Sequence, residues 1–118
     1  HIMCQKFLPN ISKGDKRVFI INGKVCGAIS RVPKKGSFLS NMSKGAKAIS
    51  ITLTNRENKI SKLIARDLKK ENIFFAGIDF IDQKINGDIN VTSPTGLKTL
   101  YDLSGINLAK TFWKELKA

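Results

Sequence analysis

The stretch "RVFIINGKVCGAISRV", residues 17 to 32, constrains the fold more than any other part of the chain. Two runs rich in β-branched and aromatic residues flank Asn22-Gly23, and that pair makes the tightest hairpin turns because both residues tolerate positive φ. A chain with such a hairpin commits to an antiparallel sheet, and the remaining elements must cover its apolar residues. Thr54 begins one cover. In "TNREN" it stands three residues before Glu57, a capping box, and Ile60, Leu63, Ile64 and Leu68 then recur at helical spacing. Residues 55–71 therefore read as an amphipathic helix whose apolar stripe is core.

A second hairpin follows. "IFFAGIDFI", residues 73 to 81, has strong β propensity, and a short turn containing Asn86-Gly87 leads to a strand over 88–92. Ser93 to Gly96 break the chain, and helical segments are expected near 97–103 and 107–117. Between the first hairpin and the helix lies "PKKGSFLSNMSKGAKA", residues 33 to 48, rich in Gly, Ser and Lys and without periodicity. A loop of that length in a compact domain is functional or disordered, and residues 34–48 are expected to be mobile without ligand. The order ββ-loop-α-ββ-αα predicts an α+β fold, helices packed on a largely antiparallel sheet. At 118 residues the chain is one domain at most, and it has no internal repeat.

Composition narrows the chemistry. The single histidine is His1, which removes Ser-His-Asp and Cys-His catalysis and any site needing two histidines. Cys4 and Cys26 lack metal-ligand spacing and read as reduced side chains. What remains is chemistry by carboxylates, Asn, Lys, Arg and backbone groups. The net charge of +12 suits a phosphate-bearing ligand, yet 17 of the 21 basic residues are lysine. Base-reading surfaces favour arginine's planar fork, and only Tyr101 and Trp113 join the phenylalanines as stacking platforms, so a nucleic-acid partner is not expected. A basic module for nucleic acid or an acidic protein stays as the distant alternative. No apolar run reaches the ~20 residues of a membrane span, and the polar Gln5 and Lys6 interrupt any signal peptide. The chain reads as cytoplasmic, with no membrane partner.

"GDINVTSPTGLKTL", residues 87 to 100, carries Asp88 and Asn90 two positions apart, hence on one face of a strand. On the preceding strand Phe74, Ala76, Ile78 and Phe80 form an apolar face. If Ile89 and Val91 join it in one core, Asp79, Asp88 and Asn90 converge on the other side, where Gly77 leaves room for a ligand. Two carboxylates at ~4 Å without a counter-ion repel by about 4 kcal/mol at an effective dielectric of about 20. A hard divalent cation relieves that, and Asp and Asn oxygens are what magnesium takes when it also holds nucleotide phosphates. A solvated polar strand, with Asn90 and Thr92 chosen for turn chemistry, explains the same spacing equally well.

"IMCQKFLP", "GDKRV", "SRVP" and "INVTSPTG" occur here in the order in which close relatives of them occur in bacterial glutathione synthetase. The resemblance runs from Ile2 to the end and corresponds to the C-terminal part of that family's ATP-grasp domain. "INVTSPTG" is its most specific element. The resemblance implies an ATP-dependent ligase that activates the carboxylate of γ-glutamylcysteine as an acyl phosphate and lets glycine attack it. Another ATP-grasp carboxylate–amine ligase is the nearest alternative.

By position, the resemblance implies that Asp79, Asp88 and Asn90 hold Mg2+ (or Mn2+) bridging the ATP phosphates. It places Arg17 and Arg31 near the transferred phosphate and acyl phosphate. Gln5, Lys6, Phe7 and Leu8 resemble the hinge that contacts adenine, and Asp15 an acidic residue near the ribose. Asn41, Ser93 and Thr95 match the segments around the substrate, and loop 34–48 would close over the acyl phosphate. Ile2-Met3 read as native. The phosphate-binding lysines and the substrate-binding domain would precede Ile2, so this chain by itself is expected to lack ligase activity. The complete enzyme is expected to be a homo-oligomer.

Two length differences from the family generate register expectations. One extra residue lies between Asp79 and Asn90; a tight turn at Lys84-Ile85 would absorb it and leave Asp79 facing Asn90. The first hairpin is one residue short. With a plain two-residue turn Arg17 would lie opposite Ala28 and Arg31 would point to the other face, so an irregularity between Lys24 and Ser30 is expected.

Overall fold

The computed structural model describes residues 1–36 and 45–118, so Asn41 and the middle of the expected lid lie outside the described residues. A short 3-10 turn, Pro9–Lys13, leads into β1 (Asp15–Ile21) and β2 (Lys24–Val32). Asn22 and Gly23 join them with φ of 49° and 73°, the left-handed turn that this pair favours. β3 (Lys47–Ser50), α1 (Asn55–Lys70), β4 (Phe75–Ile81), β5 (Lys84–Asn90), α2 (Leu97–Ser104) and α3 (Leu108–Lys117) follow. The five strands form one sheet in the order β3-β2-β1-β4-β5, each neighbour antiparallel. The fold is α+β, as expected.

Strand alternation divides the core in two. Val18 and Ile20 of β1 join Ala28, Ala76, Ile78 and Phe80 under Ala65 of α1. Phe19, Ile21 and Ile29 point the other way, against Leu100 of α2 and Leu108 of α3. The central strand is thus apolar on both faces, which explains its unbroken "VFII" run. Burying Phe19 or Ile20 completely contributes about 1.5–3 kcal/mol each. The α2–α3 face is apolar only at one end; its other end carries Asp15, Arg17, Arg31 and Asp79.

Each helix starts and ends within one residue of where its signals place it. Glu57 N donates to Thr54 Oγ1 at 3.2 Å, and Thr54 N donates to Glu57 Oε2 at 2.9 Å. The buried Glu57 carboxylate also receives Lys16 Nζ at 2.9 and 3.0 Å, so its charge is paired. Asn107 caps α3 by accepting from Lys110 N at 3.0 Å. Among the described residues no helix is long and apolar enough to cross a membrane.

Several expectations need correction. β3 pairs with Ile29–Val32 and takes in the end of the expected loop; its four residues are too few for alternation to stand out. The second hairpin turns at Asp82-Gln83, both left-handed (φ 53° and 60°), and not at Asn86-Gly87 or Lys84-Ile85, which lie in β5. Phe74 leaves the apolar face expected of it and meets Phe112 of α3, ring centroids 5.0 Å apart. Ile89 and Val91 are not core. They are 38% and 43% exposed: Ile89 lies on the edge strand β5, and Val91 follows its last residue.

α3 is tied to the first hairpin through Glu115, which accepts from Lys24 Nζ and Asn22 Nδ2 at 2.9 Å each. The bond from Lys24, then that from Asn22, holds the Glu115 carboxyl below its usual value. A group whose folded value is depressed adds stability above its unfolded value and loses it as pH falls through the folded one. Acidification below ~4 is therefore expected to loosen α3 first, shifting Trp113 emission before the sheet melts. Coincident fluorescence and circular-dichroism transitions would contradict this.

Candidate functional site

Asp15 and Arg17 share a face of β1 by alternation. Arg31 joins them only because β2 is irregular. Ile21 pairs with Lys24 and Ile20 with Val25, but Phe19 then pairs with Gly27, leaving Cys26 as an extra residue. Beyond the bulge Arg17 lies opposite Ile29, and Asp15 opposite Arg31. The irregularity falls between Lys24 and Ser30, where the short hairpin requires it. Deleting Cys26 would make Val25 and Gly27 consecutive and keep every one of these pairs. The deletion is expected to move the melting temperature by no more than about 5 °C. A fall several times larger would show that the bulge does more than correct parity.

On the other side of β1, Arg17 pairs with Asp79 of β4. Arg17 Nε donates to Asp79 Oδ1 and Nη2 to Oδ2, both at 2.8 Å, a bidentate fork. Arg31 Nη2 lies 3.1 Å from the same Oδ2. Arg31 also forks onto Asp15, Nε to Oδ1 at 3.0 Å and Nη2 to Oδ2. The result is an alternating chain Asp15–Arg31–Asp79–Arg17 with no net charge. Burial alone would lower the Arg31 pKa, but the bond to Asp15 and the charge of Asp79 outweigh it and raise the value above the usual one. Asp15, Arg17 and Asp79 are 4%, 7% and 8% exposed, so these pairs are little screened.

β5 reaches the same face by a different register from the one expected. Gly77 pairs with Asn90 and Ile78 with Ile89, but Phe80 pairs with Ile85. Two extra β5 residues therefore lie opposite Asp79, inside the strand and not in the turn, and Asp79 does not directly face Asn90. Because the excess is two, alternation resumes in phase, and Asn90 still shares its face with Gly77 and Asp79. Asp88 is exposed beside this irregularity.

Asn90 is engaged in the turn that follows. Its Oδ1 accepts from Thr92 N at 3.1 Å, Ser93 N at 3.0 Å and Thr92 Oγ1 at 3.3 Å. That turn buries Pro94 against Gly77 and delivers Thr95 to the arginines: Arg17 Nη1 donates to Thr95 O at 3.2 Å and to its Oγ1 at 3.3 Å. The space above Gly77 is thus taken by Pro94 and Arg17, not left for a ligand. A Cβ there would lie 2.9 Å from Pro94 Cβ and 3.6 Å from Arg17 Cδ. Gly77→Ala is expected to cost about 1–3 kcal/mol by displacing Pro94, measurable by denaturant melts. An unchanged midpoint would mean that the turn yields freely.

Of the remaining expected residues, Gln5, Lys6 and Phe7 lie exposed ahead of the 3-10 turn, and Leu8 O accepts from Ile11 N at 3.0 Å. Ser93 is exposed two residues before Thr95. Among the described residues no three or more His, Cys, Asp or Glu side chains gather to hold a metal. The Asp79, Asp88, Asn90 set has only two such members. A separate cavity of about 220 Å³ opens on the α1 side, near Lys13, Lys16 and Glu57, where the Lys16–Glu57 pair is already satisfied. The Asp15–Arg31 pair was missed from sequence, although it follows from the bulge: once Cys26 is set aside, an acid faces a base across two strands.

Residues 1–105 match the family model described as prokaryotic glutathione synthetase, ATP-grasp domain. A glutathione synthetase of Prochlorococcus marinus subsp. pastoris is 46% identical over 103 residues, 87% of this chain and 33% of that protein. One from Rhodopseudomonas palustris is 38% identical over 116 residues, 98% of this chain and 37% of that one. The chain thus spans about a third of the length of these curated relatives. A solved structure of the ATP-grasp ligase PsnB, complexed with precursor peptide PsnA2 and AMPPNP, superposes with a TM-score of 0.54. It covers 89% of this chain and 33% of PsnB, and at 13% identity it speaks for the fold alone. With the family model covering nearly the whole chain, the protein belongs to the prokaryotic glutathione synthetase ATP-grasp family.

Proposed function

We propose that this chain is the C-terminal portion of the ATP-grasp domain of a cytoplasmic ligase that joins γ-glutamylcysteine and glycine at the expense of ATP. The observation that carries the reading is the meeting of Arg17, Arg31 and Asp79 on one sheet face, with the turn residue Thr95 attached. Two guanidinium groups held side by side form a receptor for a phosphoryl group. Their planar forks match phosphate oxygens in a way that lysine cannot. Asp79 and Asp15 are the counter-ions that keep the two arginines from repelling each other.

The oxygen donors fit a hard divalent cation. Among the described residues Asp79 Oδ1 accepts from Arg17 Nε alone and keeps a lone pair, whereas Asn90 Oδ1 would have to release part of its turn. Mg2+ (or Mn2+), held by Asp79, Asp88 and Asn90, would neutralise the phosphate charge of ATP. Arg17 and Arg31 then orient the transferred phosphoryl and the acyl phosphate. Thr95 and Ser93 lie on the substrate side, and Gln5 to Leu8 form the adenine side. Loop 34–48 and Asn41 are the lid of this reading, which would exclude water from the acyl phosphate.

The test is ADP release by the full-length protein with each substrate withheld in turn. Release is expected only with γ-glutamylcysteine and glycine both present. Equal rates with a different acceptor in place of glycine would refute the glutathione reading.

A further inference from the structure

We propose that the cavity on the α1 side of the sheet binds a small zwitterion of the α-amino-acid class, held by Lys13, Lys16, Ser30 and Asp82. The site is separate from the arginine cluster and does not depend on the ligase reading.

Strand alternation builds the cavity. Lys16 lies between Asp15 and Arg17 on β1, so it projects from the other face of the sheet, where it meets Glu57 of α1. Its neighbours across the sheet are Ser30 on β2 and Phe80 on β4. Together with Lys13, from the turn before β1, and Asp82, from the turn after β4, they line a space of about 220 Å³. That is below the ~300–1,000 Å³ of a pocket for a drug-sized ligand, and too small for a nucleotide.

Several polar groups here have bonds still to make. Ser30 is 6% exposed, and its hydroxyl has no hydrogen-bond partner among the described residues. A buried hydroxyl left unpaired is costly, and a ligand that reaches it relieves that cost. Lys16 gives at most two of its three N–H bonds to Glu57. Lys13 and Asp82 have no ion-pair partner among the described residues.

The charges select the ligand. Lys13, Lys16, Glu57 and Asp82 are the charged residues around the space, two of each sign. Glu57 is spent on Lys16 and on the cap of α1. A simple anion would leave Asp82 unpaired, and a simple cation would leave Lys13 so. A molecule with both charges answers both. Its carboxylate takes Lys13, Ser30 and the remaining N–H of Lys16, and its ammonium takes Asp82. Phe80, itself 1% exposed, adds an apolar wall for a short side chain.

The experiment is a ligand-observed NMR titration of the full-length protein with L-leucine and two of its single-charge analogues. 4-Methylpentanoate lacks the ammonium and 3-methylbutylamine lacks the carboxylate, and neither is larger than leucine. Leucine is expected to bind, and each analogue to bind at least about tenfold more weakly. Lys13→Ala and Ser30→Ala should each weaken leucine at least about threefold, and the double variant at least about tenfold, with ligase turnover unchanged. Lys13 is exposed, so its variant carries the test even if the serine variant folds poorly. Lys16 is left intact because its loss would strand the buried Glu57 carboxylate. Leucine binding that neither substitution weakens would overturn the proposal. Equal affinity for 4-methylpentanoate, the mark of a simple anion site, would overturn it too, as would no binding at ~10 mM leucine. Failure of the ligase reading would show separately, as no ADP release by the wild-type protein.

Discussion

Asp79→Ala is expected to destabilise the protein by about 3–5 kcal/mol and to remove ligase turnover from the full-length enzyme. The stability loss follows from what remains. Asp79 is the carboxylate that Arg17 and Arg31 share through Oδ2, at 2.8 and 3.1 Å. Without it, two guanidinium groups face each other in a site with little solvent. Arg31 keeps Asp15, but among the described residues Arg17 is left with the oxygens of Thr95 alone. Asp79→Asn keeps the shape and one acceptor oxygen, and should cost less stability for a similar loss of turnover. Phosphate or sulfate is expected to restore part of the alanine variant's melting temperature by replacing the missing anion. A variant as stable as wild type, unaffected by anions, would mean that the three-residue cluster is not a coupled unit.

This expectation differs from what the sequence alone suggests, and the difference is physical. Read by spacing, Asp79 is a ligand on a polar face, and its substitution should affect the cation far more than folding. The contacts make it a structural counter-ion as well. Spacing gives faces and parity but cannot say which partner of opposite charge arrives from a distant strand. Arg17 and Asp79 are 62 positions apart and neighbours only through the pairing of β1 with β4.

Parity was the most legible property. Asn22-Gly23 located the first turn, and the requirement that Arg17 and Arg31 serve one anion located a bulge that the structure places at Cys26. α1 was legible because its capping box and apolar stripe are local. The second hairpin failed for a related reason. Asn86-Gly87 is the stronger turn signal on propensity, yet the turn forms at Asp82-Gln83, which leaves seven-residue strands on both sides. The displaced Asn86-Gly87 then lies inside β5, where the pairing skips two residues opposite Asp79. Long-range pairing of β4 with β1 decides this, and no local signal encodes it. Ile89 and Val91 misled for a simpler cause: an apolar residue on an edge strand reads the same as one in the core.

Arg17→Lys is expected to reduce turnover of the full-length enzyme by about 10²–10³ while leaving the fold intact. Lysine retains the positive charge, so Asp79 keeps a counter-ion and the buried site stays neutral. What it loses is simultaneity. Arg17 donates Nε and Nη2 to the two oxygens of Asp79 and Nη1 to Thr95 O and Oγ1. A single ammonium on a flexible stem cannot keep the two-point contact with Asp79 and the turn bond to Thr95 in one plane. The "TSPTG" turn, fixed at its start by Asn90, would lose its anchor at the end nearest the arginines. The transferred phosphoryl would meet a mobile charge in place of a planar fork, a defect in orientation more than in attraction. The loss should therefore fall on kcat, with nucleotide affinity changed by no more than about threefold. Thermal melts would confirm that the variant is folded, and steady-state kinetics would read the rest. Turnover within about threefold of wild type would mean that positive charge alone suffices at this position, and that the fork to Asp79 serves the fold and not the reaction.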